Sequence, residues 1–373
     1  MLDKKITYFY QAGRKEKLIS SEEYAKEMFY GYHYFKEKYR YVEIVEFSPI
    51  NSKVKKLFRN KVEKRLSNIF KLPLYWSFIV TNKNKEIVRD SDFVVLNNNR
   101  VGASIMPIFL WNNLMKKKQA ISLCFILGLF SRKTKFKILM LFHNFYIRLI
   151  LKNIDKFIFL SEGELQFAKN NFPKYKNKFN LVPFAVDLSI WKVQENKKQD
   201  ILFVGNDGFR DFKLLEKIVN SFPEINFSIV SEFMNNDNLI HNNFKIYNGS
   251  WGSPALSDLE LRNLYSSSKL TIIPLKNSLQ PSGQSVALQS IACGTPVLIS
   301  KTDGFWDNKN FKNGSNIFFN KDNDLNSWKE EISRIYKMDS SSYEQVIRNG
   351  LDLIHNNYDL NDFCIEIENI LFS

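Results

Sequence analysis

The sequence predicts an α/β protein made of two Rossmann-like domains. Short apolar segments alternate with longer amphipathic or polar segments, which is the pattern of strands and helices layered around a mainly parallel sheet. Two such series occur, and the polar stretch 191–199 (WKVQENKKQ) separates them. A chain of 373 residues also suits two domains of ordinary size better than a single core.

Each series supplies five predicted strands. In the first series they are Ile6–Tyr10, Val42–Phe47, Phe93–Leu96, Ala120–Leu127 and Lys156–Leu160. In the second they are Ile201–Gly205, Asn226–Ser231, Lys245–Tyr247, Lys269–Leu275 and Pro296–Ser300. We therefore expect one domain over 1–190, a second over 191–350, and a C-terminal helix within 351–373 whose packing back toward the first domain stays open.

The composition is that of a globular protein, with 44% hydrophobic and 25% charged residues. The three cysteines lie far apart without zinc-type spacing, which favours a reducing compartment, and we expect a cytoplasmic protein. The N-terminal residues pass from a short apolar strand directly into charge, unlike a secretory signal. The apolar run Ala120–Phe130 is far shorter than the roughly 20 residues of a membrane span, so it predicts a buried strand.

The charge is unevenly distributed. Residues 1–200 contain 38 Lys/Arg and 18 Asp/Glu, net +20, whereas residues 201–373 contain 15 and 21, net −6. An anionic partner is one interpretation, and a solvated basic surface is the other. The segment Ser52–Phe70 has a similar pair of interpretations, because an apolar stripe at helical spacing among Lys and Arg suits either an anionic membrane or a helix packed on its own sheet.

The most informative motif is Gln280–Gly304, QPSGQSVALQSIACGTPVLISKTDG. It predicts a Ser/Gly-rich loop, a helix with an apolar face, a stop at Gly294 and a short buried strand. The first amides of a helix have no partner within the helix and lie at the positive end of its dipole. A loop of small residues that lets an anion approach those amides predicts a phosphate site.

This order resembles the nucleotide-sugar signature of retaining GT-B glycosyltransferases of family 4, the glycosyltransferase group 1 type. Their A-x-G-x-P-V turn is matched by Ala292, Gly294, Pro296 and Val297. The resemblance implies the GT-B fold, in which two Rossmann-like domains face each other across a central cleft. It also implies metal-independent transfer of a hexose from a nucleotide-diphosphate sugar, with no cofactor.

Three further segments resemble parts of the same family. Ile201–Val219 is similar to the first strand, glycine-containing loop and helix of its donor domain. Leu181–Trp191 is similar to its interdomain segment, although Ala185 replaces the usual glycine; a plain edge strand and turn is the alternative. Trp306–Phe319 is similar to the loop and hairpin that close the donor domain.

The resemblance assigns roles to loop residues of the second domain. A cation at Arg210 would neutralise the departing diphosphate and stabilise the transition state more than the ground state. The alternative is a surface ion pair of Arg210 with Asp207 or Asp211. We assign Arg210 and Gln284 as catalytic. The predicted donor-binding residues are Gly205, Asn206, Arg210, Ser282, Gly283, Gln284, Ser285 and Gln289.

The sequence departs from the family at two positions that usually hold glutamates. The first, which contacts the donor sugar, is Pro281, and the second, which contacts the ribose, is Gln289. A glutamine can still hydrogen-bond a ribose, without charge. The lost carboxylates keep open an alternative function, that of a noncatalytic GT-B-like protein that binds a nucleotide or a sugar.

Polar residues that follow strands of the first domain are candidates for an acceptor site, because ligands of doubly wound sheets bind beyond the carboxyl ends of the strands. The candidates are Gly13, Arg14, Asn98, Asn99, Arg100, His143 and Glu162. Ordinary turn chemistry is an equal alternative for the loop residues, and a buried core histidine is the alternative for His143. Ser161 has the spacing of a helix N-cap with Glu164.

The resemblance and the charge asymmetry suggest a lipid or cell-envelope glycan acceptor and a protein that lies peripherally on the inner face of the cytoplasmic membrane. A nucleic-acid-binding protein would explain the charge, but no recognisable binding motif is present, so we expect no nucleic-acid partner. We expect no metal either. The pair Asp322 and Asp324 lies in a polar run and predicts a surface turn.

Overall fold

The computed structural model describes residues 2–50, 52–117, 119–132, 136–249 and 255–373. The chain divides into two compact units. Unit 1 comprises the residues up to Ile19, Phe29–Val182 and Cys364–Ser373, and unit 2 comprises Ser20–Met28 and Pro183–Phe363. The polar stretch 191–199 therefore lies within unit 2, where it forms no helix or strand.

Unit 1 is a six-stranded parallel sheet with helices. Its strands are β1 (Leu2–Tyr10), β2 (Tyr39–Glu46), β3 (Phe93–Leu96), β4 (Ile121–Ile126), β5 (Lys156–Phe159) and β6 (Phe179–Leu181). Its helices are α1 (Arg14–Ile19), α2 (Tyr32–Lys38), α3 (Lys53–Phe58), α4 (Lys64–Phe70), α5 (Trp76–Ile79), α6 (Asn82–Asp90), α7 (Asn99–Leu114), α8 (Lys137–Asn153) and α9 (Glu162–Asn171). The strand order is β2-β1-β3-β4-β5-β6.

Unit 2 repeats this architecture. Its strands are β7 (Asp200–Val204), β8 (Phe227–Val230), β9 (Phe244–Tyr247), β10 (Ser268–Ile273), β11 (Val297–Ser300) and β12 (Phe318–Asn320). Its helices are α10 (Phe212–Asn220), α11 (Asp258–Ser267), α12 (Gln284–Ala292), α13 (Leu325–Tyr336) and α14 (Ser340–Asn357), followed by α15 (Leu360–Phe372), which ends in unit 1. The strand order is β12-β11-β10-β7-β8-β9, again all parallel.

All ten predicted strands are present, and the α/β class is confirmed. The central strand β3 is a continuous apolar run, and β4 and β10 are buried over most of their length, because helices cover both faces of a parallel sheet. Two strands, β6 and β12, were not recognised in the sequence, since three residues are too few to show a period. The segment 306–319 does not form the expected hairpin, because β12 pairs in parallel with β11.

The helix expected over 52–70 forms, but most of its apolar residues are exposed. A π-helical turn at Arg59–Glu63 joins α3 to α4 and places the Glu63 side chain in the interior. There the Glu63 Oε1 accepts a hydrogen bond from Arg59 at 2.7 Å, and its Oε2 accepts one from the Ser77 amide at 3.0 Å. Most of the apolar stripe is exposed instead: Val54, Leu57, Phe58, Val62 and Ile69. Leu66 of the same stripe packs together with Phe70 against the core of unit 1, so the helix contacts its own unit near its C-terminal end while the rest of the stripe is exposed.

Several local predictions are confirmed. The apolar run near residue 120 is the buried strand β4. Ser161 caps α9 by accepting from the Glu164 amide at 3.4 Å. Asp324 caps α13, as expected of a surface turn. Among the described residues, no helix combines the length and apolar character needed to cross a membrane.

Candidate functional site

Two loops of unit 2 meet at the carboxyl edge of its sheet. The strands β7 and β10 are neighbours, so the loops that follow them leave the sheet side by side. Backbone hydrogen bonds join these loops, from the Asp211 amide to the Pro274 carbonyl (2.9 Å) and from the Lys276 amide to the Phe209 carbonyl (2.8 Å). This edge of a parallel sheet is where ligands of such folds bind, and the pairing brings Arg210 close to the loop 280–284.

Arg210 is buried, with 3% of its surface exposed. Its Nε donates to the Val204 carbonyl at 3.4 Å. Its Nη1 lies 2.9 Å from an Asp207 carboxylate oxygen, at an angle that forms no hydrogen bond, so the N–H groups of Nη1 lack an acceptor among the described residues. Burial lowers the pKa of Arg210, while the Asp207 carboxylate acts in the opposite direction. The ion pair of Arg210 with Asp207, which was the alternative interpretation of the sequence, is present, but its arginine is buried whereas its aspartate is partly exposed.

Two glycines create the space that Arg210 occupies. A Cβ atom at Gly205 would lie 2.2 Å from the Arg210 Nε, so a side chain there would displace the guanidinium. Gly283 has φ +82°, which favours glycine, and a Cβ atom there would lie 2.9 Å from Ile273 and 3.6 Å from the Arg210 Nη1. Both glycines thus leave room for the Arg210 guanidinium next to the start of α12.

Gly283 is the N-cap of α12 and has no side chain that could cap the helix. The first amides of α12 therefore lie unshielded by a capping side chain at the positive end of the helix. The adjoining Ser282 is 8% exposed, and its hydroxyl has no hydrogen-bond partner among the described residues. Buried polar groups are nearly always paired, so unpaired groups at one place indicate a ligand site. Gln284 is buried and Ser285 is half-buried in the first turn.

Asn206, which the sequence also assigns to the donor site, is held by protein contacts. Its Nδ2 donates to the Gly249 carbonyl at 2.7 Å. Its Oδ1 accepts from the Ser231 hydroxyl at 3.0 Å and from the Glu232 amide at 2.7 Å. These bonds tie the loop after β7 to the loops after β8 and β9, so Asn206 shapes this edge of the sheet.

Gln289 is engaged by a partner that the sequence did not reveal. Its Nε2 donates to Glu27 Oε1 at 2.9 Å, and its Oε1 accepts from the Tyr265 hydroxyl at 3.3 Å. The Trp191 indole donates to the same Glu27 oxygen at 2.7 Å. Glu27 belongs to the segment Ser20–Met28, which is part of unit 2 although it lies near the N-terminus. A carboxyl group from a distant part of the chain thus contacts the residue at position 289.

Glu27 is 1% exposed, and burial raises its pKa to about 7. The hydrogen bonds from Gln289 and Trp191 act in the opposite direction, and the neighbouring Asp187 adds to the rise. Its second oxygen, Oε2, has no partner among the described residues. The segment that carries Glu27 is anchored by its backbone, since the Lys26 amide donates to Asp187 at 3.0 Å and the Ala25 amide to Asp258 at 2.9 Å.

The acceptor-side candidates in unit 1 have mostly structural contacts. Asn98 caps α7 by accepting from the amides of Arg100 (2.9 Å) and Val101 (3.1 Å). Arg14 is buried over the Tyr10 ring, 5.3 Å from its centroid, and its amide donates to Glu46. Gly13 adopts φ 86°, which is a turn role. Asn99 is buried, and its Nδ2 is unpaired among the described residues.

Two further candidates differ from expectation. His143 is buried, its Nδ1 lies 2.8 Å from the Phe70 carbonyl, and burial lowers its pKa, so it is a core histidine. Glu162 is exposed, whereas Glu164 is buried and accepts from the Gly128 amide. The carboxylate of Glu164 therefore does not complete a capping box with Ser161. Within the part of the chain that the structure describes, no group of three or more His, Cys, Asp or Glu is arranged to hold a metal ion.

Comparison with solved structures identifies the class of fold. The two parallel six-stranded sheets with their helices match GT-B glycosyltransferase structures over nearly the whole chain. The chain has the GT-B fold, as the sequence predicts. No protein-family model and no curated protein matches it.

Three structures illustrate the similarity. A glycosyltransferase from Rickettsia africae has a TM-score of 0.66 and 13% identity, covering 99% of this chain and 98% of that chain. Anabaena Alr3699/HepE in complex with UDP has a TM-score of 0.65 and 12% identity, covering 99% and 100%. An E. coli protein described as trehalose-6-phosphate bound with UDP-2-fluoro glucose has a TM-score of 0.66 and 9% identity, covering 98% and 99%. At such identities the similarity establishes the fold.

Replacing Gly283 by alanine should destabilise unit 2. The positive φ and the short approach to Ile273 together should lower the free energy of unfolding by about 1–3 kcal/mol. Thermal unfolding measures this. Gly208→Ala is the matched control, because no atom of the described residues lies within 4 Å of a Cβ atom built there, and its effect should stay within about 0.5 kcal/mol. Equal stability of the two variants would contradict this account of the loop.

Glu27 should make unfolding pH-dependent. Its pKa is raised from 4.5 to about 7, so between these values the folded chain binds a proton that the unfolded chain has lost. The free energy of unfolding therefore falls as the pH rises through this range, by up to about 3 kcal/mol, and stays lower above it. Glu27→Gln keeps an oxygen that accepts from Trp191 and Gln289 but removes the titration. The melting temperature of the wild type should fall relative to the variant between pH ~4.5 and ~7, and parallel curves would refute the assignment.

Proposed function

We propose that this protein is a retaining glycosyltransferase that moves a hexose from a nucleotide-diphosphate sugar to a lipid or cell-envelope glycan acceptor. The observation that carries the proposal is the convergence at Gly283 of a buried guanidinium, an unpaired buried hydroxyl and a helix start without a capping side chain. These groups are what a diphosphate requires. Structural neighbours with bound UDP or UDP-sugars support UDP as the first nucleotide to test.

The chemistry follows from where charge develops. Transfer breaks the bond between the anomeric carbon and the phosphate oxygen, and the electron pair stays on the leaving diphosphate. The N–H groups of Arg210 and of the first turn of α12 would stabilise that charge without a metal, and they are held in place before the reaction begins. The acceptor hydroxyl forms the new bond on the same face and passes its proton to the leaving diphosphate. Under this proposal no protein nucleophile is required.

Gln289 and Glu27 would form the nucleoside end of this site. Gln289 has both amide atoms engaged by Glu27 and Tyr265, so its orientation is fixed. Glu27 Oε2 keeps an acceptor position that a ribose hydroxyl could fill. This engagement also favours the alternative function, a noncatalytic GT-B-like binder of nucleotide or sugar, because Gln289 is less free to adapt during a reaction.

Helix α8 supports the proposed acceptor and the proposed location of the protein. This helix buries His143, Ile147 and Ile150 on one face yet exposes apolar residues on another. The exposed apolar residues of α8 and of the position before it are Phe136, Ile138, Leu141, Phe142 and Phe145, with 55–69% of each exposed. A helix that is apolar on nearly all faces is normally buried in a large core or in a membrane.

The exposed stripe of α3 and α4 adjoins this face, since the Phe70 and Phe142 rings lie 5.5 Å apart. We call the two together the apolar surface of unit 1. Its exposed cations are Lys53, Lys56, Lys61, Lys64, Arg65, Lys137, Arg148 and Lys152. An apolar surface with a basic rim suits the headgroup layer of an anionic membrane. We therefore place the protein in the cytoplasm, peripheral on the inner face of the cytoplasmic membrane.

Nucleotide binding and turnover test the proposed reaction. UDP, GDP and ADP are compared by thermal shift, and one nucleotide should raise the melting temperature selectively. The matching sugar nucleotide should be hydrolysed slowly without acceptor. Arg210→Ala should lower this turnover about a hundredfold, a loss of roughly 3 kcal/mol of transition-state stabilisation.

The control for this variant is Arg334→Ala, which removes an exposed arginine of unit 2 that pairs with Glu331 and lies over the Phe318 ring. It should leave turnover unchanged. A thermal shift without turnover of any sugar nucleotide, even with lipid extract as acceptor, would favour the noncatalytic binder. Equal kinetics for folded Arg210→Ala and wild type would exclude Arg210 from the site.

Vesicle flotation tests the apolar surface of unit 1. The wild type should bind vesicles that contain phosphatidylglycerol, and the double variant Leu141→Gln/Phe145→Gln should bind at least about tenfold more weakly, because each side chain contributes roughly 1.5–3 kcal/mol when buried in apolar surroundings. Phe233→Gln removes a similarly exposed ring from unit 2 and should bind like the wild type. If all three proteins bind alike, or none binds at low salt, the membrane assignment fails.

A further inference from the structure

A cavity of about 420 Å³ lies in unit 1, and none of its lining residues is assigned to the donor site. Its polar lining consists of Ser67, Asn68, Lys71, Tyr75, Arg100 and Arg132. Three of these six are cations, contributed by three different segments of the chain. Sequence reasoning named Arg100 alone, because Lys71 and Arg132 carry no motif.

The fold explains why these cations converge. Arg100 lies in the first turn of α7, directly after β3, and Arg132 lies in the loop after β4. These strands are neighbours, so both residues leave the sheet at the same carboxyl edge. Lys71 ends α4 with φ 54°, a left-handed conformation that stops the helix beside them.

The three cations of this cavity have no salt-bridge partner among the described residues. No carboxylate among the described residues forms a salt bridge with Lys71, Arg100 or Arg132, and the sequence contains no Asp or Glu between Asp92 and Asp155. Burial lowers the pKa of Arg132, and the like charge of Arg100 lowers it further.

The carboxyl group that acts on Arg132 is Glu164, whose own pKa burial raises to about 8. Burial thus favours the neutral form of Glu164, which reduces the negative charge near Arg132. Like charges held together in a partly enclosed cavity without counterions favour an anion of matching size.

We propose that the cavity lined by Lys71, Arg100 and Arg132 binds a phosphate group. Its volume accommodates a phosphate monoester, and arginine forks suit phosphate oxygens. The source is either a soluble phosphorylated compound or the headgroup of a lipid. That this phosphate belongs to the acceptor rests on the proposed function, whereas the binding of phosphate does not.

The cavity adjoins the apolar surface of unit 1. Lys71 follows Phe70, whose carbonyl contacts His143 and whose ring contacts Phe142. The acyl chains of a lipid whose headgroup enters the cavity could therefore contact the apolar surface of unit 1.

Binding is measured with two probes. Glycerol 3-phosphate is titrated calorimetrically, and phosphatidylcholine vesicles with phosphatidic acid are used for flotation. The variants are Arg132→Gln and Arg100→Gln, the second of which changes an exposed side chain and keeps the test valid if the first fails to fold. The control is Arg40→Gln, an exposed arginine on β2 outside the cavity. Each cavity variant should weaken binding of at least one probe about tenfold or more, and the control should not.

Binding of glycerol 3-phosphate supports a soluble ligand, and binding of the vesicles alone supports a lipid headgroup. Absence of binding to both probes, or equal weakening by the Arg40 variant, overturns the proposal. The nucleotide thermal shift is recorded on the same proteins, and the cavity variants should keep it. A missing shift in the wild type with intact phosphate binding would refute the proposed function and leave the cavity assignment standing.

Discussion

The burial of the Arg210 guanidinium between Gly205 and Gly283 is the interaction on which the candidate site depends. A buried cation is costly unless charge or hydrogen bonds compensate it. Here Asp207 gives partial compensation, and one nitrogen remains without an acceptor among the described residues. The loops after β7 and β10 must therefore stay paired, because their pairing both shields this cation and directs it toward the start of α12. The same loop pairing thus stabilises the loops and positions Arg210 to bind an anion.

Buried carboxyl groups have a parallel role in both units. Glu27 accepts from Trp191 and Gln289, and Glu63 accepts from Arg59 and Ser77. Each fixes a segment that lacks a regular place in a sheet: the Ser20–Met28 segment in one case and the π-helical turn in the other. Each carboxyl group accepts at least two hydrogen bonds, which offset part of the cost of its burial while the segment is held in one position.

Unit 1 contains two features that one kind of ligand would satisfy. Its helices expose apolar side chains among cations, and its cavity gathers three cations at the sheet edge next to that surface. A soluble sugar acceptor would require neither, whereas an amphiphile with a phosphate group would contact both. The apolar surface and the cavity thus support the same proposed class of acceptor for independent physical reasons, one the hydrophobic effect and the other electrostatic attraction.

The sequence by itself determined the features that depend on neighbouring residues. The alternation of apolar runs predicted ten of the twelve strands formed by the described residues. The Ser/Gly-rich loop before an apolar segment predicted helix α12, whose N-cap the structure places at Gly283. Periodicity and turn chemistry act over a few residues, so they are legible without a structure.

The tertiary structure alone decided which side chains meet. Glu27 contacts Gln289 across 262 positions, and Arg100 and Arg132 converge because β3 and β4 are adjacent. It also decided that Glu63 is buried while Val62 is exposed. The π-helical turn changes the number of residues per turn, so a residue outside the apolar stripe faces the interior there. Burial and long-range pairing depend on the folding of the whole sheet, and no local pattern in the chain encodes them.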